Sequence, residues 1–489
     1  MSIAKRLILF CMGMGCWIPT HLLAGDPVSA GPLFERFDLT LAPGERTEAV
    51  SPFYYSEESE GRHTWAIPPL TLSYEKDPAA ENEEFDFAYP ILTYDRFGTE
   101  YRFQICQVFS FAGGDDQRGD LARRFTLFPI YFQQRSPDPE KDYTAFVPFY
   151  GTLKQRLFRD EIHFVLFPCY ARTRKADVIT YDTPYPLFSR SYGIGLRGWQ
   201  VWPLVGHEHK DVTTRTNGFN DLETVPGHDS RFVLWPFFLQ NNSQIGTDNP
   251  VHEQDMIPFY TLYRSKLRDS TTYFWPLGVT HTLEREKHFE EWAAPWPFIV
   301  FDRGAGKRTS RVWPLFSQST NQFLESDWYL WPVYKYNGIH VSALDHRRTR
   351  ILFFLYSDLR EKNTETLESM RRVDFLPFFT HHRDFNGNER LQILSIIEPF
   401  LPGSHKVERD YSHLYALWRA ERNAKTGATS QSLLWNLYRH EATPQTRKTS
   451  LLFGLFRYES SPTGRRWRVC YVTFGRPKTV PAGSAGQSN

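Results

Sequence analysis

His207 and His209 are the pair in this chain whose type and spacing come nearest to chemistry. One residue apart on a strand, two imidazoles project from the same side and could share a metal ion. A lone pair of this kind is a weak signal, and a solvated loop is the simpler expectation. His381 and His382 are adjacent, so a strand would send them to opposite sides. Glu284, Glu286, Glu290 and Glu291 lie among Arg285, Lys287 and His288, a mixture that predicts a solvated charged loop. A glycosidase would need two carboxyls facing one cleft, and this spacing does not supply that. Arg347, Arg348 and Arg350 follow Asp345 and read as surface. The chain has no glycine-rich phosphate loop, zinc-protease helix motif or nucleophile elbow. No catalytic residue, metal ligand or cofactor-binding residue is therefore assigned, and no cofactor is expected.

Arg419, Arg439 and Arg457 are a different kind of signal, because each follows the same local pattern. They could form a basic stripe across neighbouring strands. The plainer expectation is that they cap strand ends or pair with local acids such as Glu459.

That pattern is a repeat: an apolar residue, an aromatic, proline, an apolar residue and an aromatic. It occurs as Leu127-Phe128-Pro129-Ile130-Tyr131, Leu234-Trp235-Pro236-Phe237-Phe238, Val312-Trp313-Pro314-Leu315-Phe316 and Leu330-Trp331-Pro332-Val333-Tyr334. Later copies keep the frame without proline, as in Leu352-Phe353-Phe354-Leu355-Tyr356 and Leu434-Trp435-Asn436-Leu437-Tyr438. Successive prolines such as Pro129, Pro148 and Pro168 lie 19 and 20 residues apart. A unit of about 19 residues predicts one strand of roughly 10 residues plus a loop. Turn signals such as Asn386-Gly387 and Lys425-Thr426-Gly427 fall between copies. The reading is an antiparallel meander of about 18 to 22 strands, all-β, with helices scarce. Proline would mark either a repeated bulge or the start of each strand. Along Leu330 to Lys335, Leu330, Pro332 and Tyr334 would face one side, and Trp331 and Val333 the other. Trp235, Trp275, Trp313 and Trp331 are expected to be packed rather than ligand-binding.

The amino terminus reads as a secretory signal over residues 1–30. Lys5 and Arg6 precede an apolar run from Leu7 to Ile18, with cleavage expected near Ala24 or Ala30. Residues 31–477 are expected to form a single repetitive all-β domain, and residues 478–489 a disordered tail rich in Pro, Gly, Ser and Ala. Cys106, Cys169 and Cys470 remain beyond the signal, an odd number too widely spaced for a disulfide framework or a metal motif, though an oxidising compartment would allow one disulfide whose pairing the sequence does not fix. Cys169, inside a repeat, is expected to be buried. With 57 basic and 56 acidic residues, the net charge of +1 gives no pull toward nucleic acid.

A closed up-and-down barrel would absorb so long a meander and, with an export signal, would sit in an outer membrane. A propeller or a stacked-sheet β-repeat protein is the alternative fold. The functional expectation is a non-enzymatic bacterial cell-envelope protein, an outer-membrane barrel with a transport or anchoring role. The alternative is a secreted or periplasmic β scaffold, with a carbohydrate-active enzyme a distant third. Membrane lipid or envelope components are the partners such a protein would meet. Composition names no small molecule or polysaccharide.

Overall fold

The computed structural model describes residues 33–115, 121–216, 221–462, 464–470 and 472–474. The signal over residues 1–30 and the tail over 478–489 lie outside the described residues. Forty-three strands form one sheet, and a separate hairpin pairs Thr213–Thr216 with Leu222–Val225. Each strand of the sheet pairs antiparallel with the strand before it in the chain. The hairpin is spliced between Val205–Lys210 and Gly227–Val233, which pair directly. The ladder runs from Phe34–Asp38 to Val472–Phe474, and among the described residues these two terminal strands do not pair with each other. The sheet is therefore open. This overturns the closed barrel and, with it, the outer-membrane barrel function. Among the described residues no helix is long and apolar enough to cross a membrane.

The strand count is about twice what the repeat implied, because the unit is a hairpin and not a strand. Most strands are five to eight residues long, such as Lys307–Val312 and Phe316–Asn321. The aromatic-proline segment is neither a bulge nor a strand start. It is the turn itself. Val312 closes onto Leu315 through a backbone hydrogen bond of 2.8 Å, with Trp313 and a cis Pro314 between them. Leu234 closes onto Phe237 at 2.8 Å and Leu330 onto Val333 at 2.7 Å in the same way. Proline suits the third position of such a turn, where it occurs in the cis form. Copies without proline keep the bond, as Leu437 to Leu434 at 2.9 Å, and reach the geometry with left-handed residues instead: Trp435 has φ 53° and Asn436 φ 68°. Trp331, Pro332 and Val333 thus belong to a turn and do not alternate across a sheet.

Turns alternate between the two edges of the sheet, and the edges differ. One edge carries every aromatic-proline turn. The other carries polar connections such as Asp384–Asn388 and Asn423–Ala428. On the apolar edge each turn hydrogen-bonds to the next: Trp313 N–H to Phe298 O at 2.8 Å, Leu330 N–H to Leu315 O at 2.6 Å and Leu352 N–H to Val333 O at 2.7 Å. The aromatic rings follow the same column, with Trp313 and Trp331 centred 6.4 Å apart and Trp331 and Phe353 5.5 Å apart. The tryptophans expected to be packed stay between 44% and 46% exposed at Trp235, Trp275, Trp313 and Trp331. Cys106, Cys169 and Cys470 are free and exposed in turns of this same edge. Cys169 is not buried, because it follows the turn proline and lies outside the strands.

Strand alternation splits the side chains between an inner and an outer face. The inner row through Thr272, Thr280, Ala293, Val300, Ser317 and Trp328 is buried, with the half-buried Arg311 between Val300 and Ser317. A small apolar cluster of Tyr143, Ala145, Leu153, Phe164 and Ala171 lies on that face. Elsewhere the inner face is mostly small, hydroxylated or charged.

Candidate functional site

The largest departure from regular structure is residues 394–417, which join Glu389–Ile393 to Trp418–Arg422. The segment includes a short turn of helix at Glu398–Phe400, a wide turn at Val407–Tyr411 and a last helical turn at Ser412–Tyr415. It fills the space between the inner faces of the first strands and the last ones. Lys406 pairs with Asp86 and Glu84. Arg409 reaches Glu75 at 2.7 Å and Asp410 at 2.8 Å, and the Tyr55 hydroxyl donates to Asp410. Arg46 holds Glu48 at 3.0 Å and Glu57 at 3.1 Å, and donates to the Arg409 carbonyl at 3.3 Å. From the other side Arg390 pairs with Glu398 and reaches Glu408 at 3.1 Å, while the Ser412 hydroxyl donates to Glu398 at 2.9 Å.

The two ends of the sheet also touch directly. The Arg439 guanidinium sits 3.5 Å above the Phe37 ring. Asn436 donates to Glu48 at 3.3 Å, and Asn423 donates to the Thr40 carbonyl at 3.1 Å. Phe53 packs against Trp435 with ring centres 6.1 Å apart. A cavity of about 520 Å³ opens at this seam, with Arg46, Arg62, Arg409, His413, Arg419 and Arg439 among the groups around it.

The three recurring arginines form the stripe, and two of them, Arg419 and Arg439, also pair with local acids. Arg419, Arg439 and Arg457 occupy one inner row, separated by Ser432 and Ser450, so a stripe exists. Two of its members pair with acids two residues on, Arg419 to Glu421 and Arg439 to Glu441, each at 2.7 Å. Burial opposes ionisation of Glu421 and Glu441, and the arginines beside them win: both carboxyls are held below their ordinary range. Burial likewise works against the Arg46 charge, and Glu48 and Glu57 more than restore it. Burial drives the His413 imidazole well below its ordinary pKa, with Arg419, Arg46, Arg439 and Arg390 adding to the effect, so it is neutral. Each buried cation at the seam has its own carboxylate. The arrangement clasps the two ends of the sheet, and its balanced charge leaves no net attraction for an anion.

The other predicted residues disperse. His207 and His209 lie on Val205–Lys210, a strand and not a loop. They share a carboxylate: Asp229 Oδ2 is 3.2 Å from His207 Nε2 and 3.1 Å from His209 Nδ1. Against some burial, His207, His209 and Arg231 hold the Asp229 carboxyl at about 2. Among the described residues no cluster of His, Cys, Asp and Glu is arranged to hold a metal. His381 and His382 do face opposite sides, opposite Val373 and Arg372 respectively. The Glu284–Glu291 stretch is a hairpin, Val279–Glu284 returning as Phe289–Ala293. Arg347 pairs with the exposed side of Asp345 at 2.9 Å, whereas Arg348 turns to the inner face and burial lowers its pKa.

Sequence reasoning missed a carboxylate pair on the inner face. Glu291 stands directly across from Asp302, with Lys307 2.7 Å from Asp302 and 4.0 Å from Glu291. Burial raises the Glu291 pKa, whereas at Asp302 burial is overcome by Lys307 and Thr309, which hold its carboxyl below the ordinary range. Asp302 has 0% exposure, which closes it to a substrate. Eleven residues separate the two acids, and only the hairpin register, not any motif, could have joined them.

No family model matches the chain, and no curated protein matches it.

Proposed function

We propose that the chain is an exported, non-enzymatic β scaffold of the cell envelope. One observation carries this reading: a ladder in which each strand bonds to its neighbour, clasped end to end by residues 394–417 and their buried ion pairs. Such a frame is made of short strands whose inner face is used up in packing and pairing. The acids and histidines that could do chemistry are tied to one another, as His207 and His209 are to Asp229. Lys5, Arg6 and the apolar run after them support export.

Fractionation of cells expressing the full chain tests this. The expected result is a shortened chain in an envelope or extracellular fraction. Recovery of the full-length chain in the cytosol overturns the export reading.

A further inference from the structure

Away from the turns that hold Phe53, Phe354 and Trp435, the apolar edge is unused by the clasp. We propose that this edge seats the molecule on the surface of a lipid bilayer, the turn tips entering the acyl region and the sheet standing out of it. The inference deepens the scaffold reading by naming what the frame rests on.

The tips themselves point to this. Leu166, Leu234 and Leu330 adopt left-handed φ values of 46°, 50° and 48°, where glycine or asparagine fits more easily. Their side chains are nevertheless 55% to 60% exposed. A strained residue recurring at equivalent exposed places argues that the apolar side chain itself is needed there. The residue after proline repeats the point: Phe237, Phe259 and Leu315 are 54% to 57% exposed. Half-exposed, a large apolar side chain presents roughly 100 Å², so ten tips present on the order of 1,000 Å², beyond the largest apolar patch usual on a monomer.

Side-chain chemistry is then graded with distance from the tips. The first outer row is rich in tyrosine, with Tyr260 opposite Tyr273 and Tyr329 opposite Tyr334. The second row is aromatic from Trp65 to Phe125 and mixed beyond it, with polar stretches such as Thr152, His163 and Arg172. The third is charged, as in Lys154, Glu161 and Arg174. Apolar, then amphipathic aromatic, then charged is the order of environments from acyl chains through headgroups to water. A protein partner of this area would need hydrogen bonds to fix its register, roughly one per 100–200 Å². Leucine, phenylalanine and valine at the tips offer no side-chain donor or acceptor, the exposed tryptophans beside them carry the single indole N–H that suits a headgroup, and a repeating row gives no unique register. A fluid bilayer needs neither.

Flotation of the purified full chain with vesicles tests the proposal. Two compositions serve, pure phosphatidylcholine and phosphatidylcholine with one-third phosphatidylglycerol. The comparison is the triple variant Leu166→Asn, Leu234→Asn and Leu330→Asn, which asparagine's tolerance of positive φ should leave folded, with unchanged circular dichroism and melting. The chain is expected to float with both compositions, and the variant's partition to fall at least tenfold. Both proteins carry the same apolar amino terminus, so equal flotation would assign binding to that segment and overturn the proposal. Flotation with the anionic vesicles alone would assign it to charge and overturn it too. No flotation, with a dimer that the variant dissociates, would show that a second copy covers the edge. Cytosolic retention in cells defeats export without touching this result.

Discussion

Glu35 shows how far the environment of a side chain can depart from what its letter suggests. It lies on the inner face directly opposite Glu48, beside Arg439 and Arg457. Burial lifts its pKa from 4.5 to about 7, with Arg439 opposing and Glu48 and Glu441 reinforcing. Between about pH 4.5 and 7 the folded chain keeps a proton that the unfolded chain has released, so this site costs stability as pH rises through that window. Glu35→Gln should therefore be the more stable protein at pH 8, by on the order of 2–3 kcal/mol, and the two should converge near pH 4. Melting curves across that range check it; equal pH slopes would refute it. His413 acts on the acid side. Its folded pKa is depressed, so the unfolded chain takes up the proton first as pH falls below 6.5, and stability falls with it. His413→Gln should move the acid-unfolding midpoint to lower pH. Neither site was legible beforehand, since burial of a single acid or imidazole follows from which strands the fold brings face to face.

At the scale of elements, the repeat was visible and its meaning was half read. Spacing and turn residues correctly implied an antiparallel meander. Trp, Tyr and Phe favour strands, so sequence alone predicts a strand at the aromatic-proline segment. The true strands are polar: Lys307–Val312 reads KRTSRV and Phe316–Asn321 reads FSQSTN. They carry too few apolar residues to announce an alternating pattern, because their inner face buries Thr, Ser and ion pairs. The segment 394–417 was hidden for a related reason, as Leu414-Tyr415-Ala416-Leu417-Trp418 resembles a repeat copy yet begins inside the clasp. Its worth can be measured. Arg390 is 2% exposed and Glu398 1%. Removing one partner of a buried pair strands the other charge and costs about 3–5 kcal/mol, whereas replacing both by apolar residues is often near neutral. Arg390→Met should thus destabilise strongly, and Arg390→Met with Glu398→Leu should recover much of the loss. Thermal melting gives the ranking, and trypsin sensitivity within 394–417 should follow it. Equal melting of the single variant and the parent would show that the clasp holds nothing.

Over the whole molecule, hydrogen bonding is local while the clasp is not. Each strand of the sheet answers only to its neighbours, so the ladder behaves as a one-dimensional array whose length is adjustable. The clasp joins residues more than 300 positions apart, such as Arg46 and Arg409, and asks the intervening strands to bring the ends together. These two properties make opposite demands on a change in strand number. Removing residues 234–256 deletes the strands Phe238–Ile245 and Val251–Met256 and joins Val233 to Ile257, leaving the Ile257-Pro258-Phe259 turn in place. The new register sets Val233 against Tyr260, Phe232 against Thr261 and Asp229 against Arg264, so an apolar pair and an opposite-charge pair replace what is lost. One hairpin is a small share of 43 strands, and the curvature can absorb it. The shortened chain should fold with unchanged far-ultraviolet ellipticity per residue, melt within a few degrees of the parent and protect residues 394–417 from trypsin as the parent does. Loss of that protection with ellipticity intact would mean that the number of strands is set by the clasp, and that the sheet is a frame of fixed circumference.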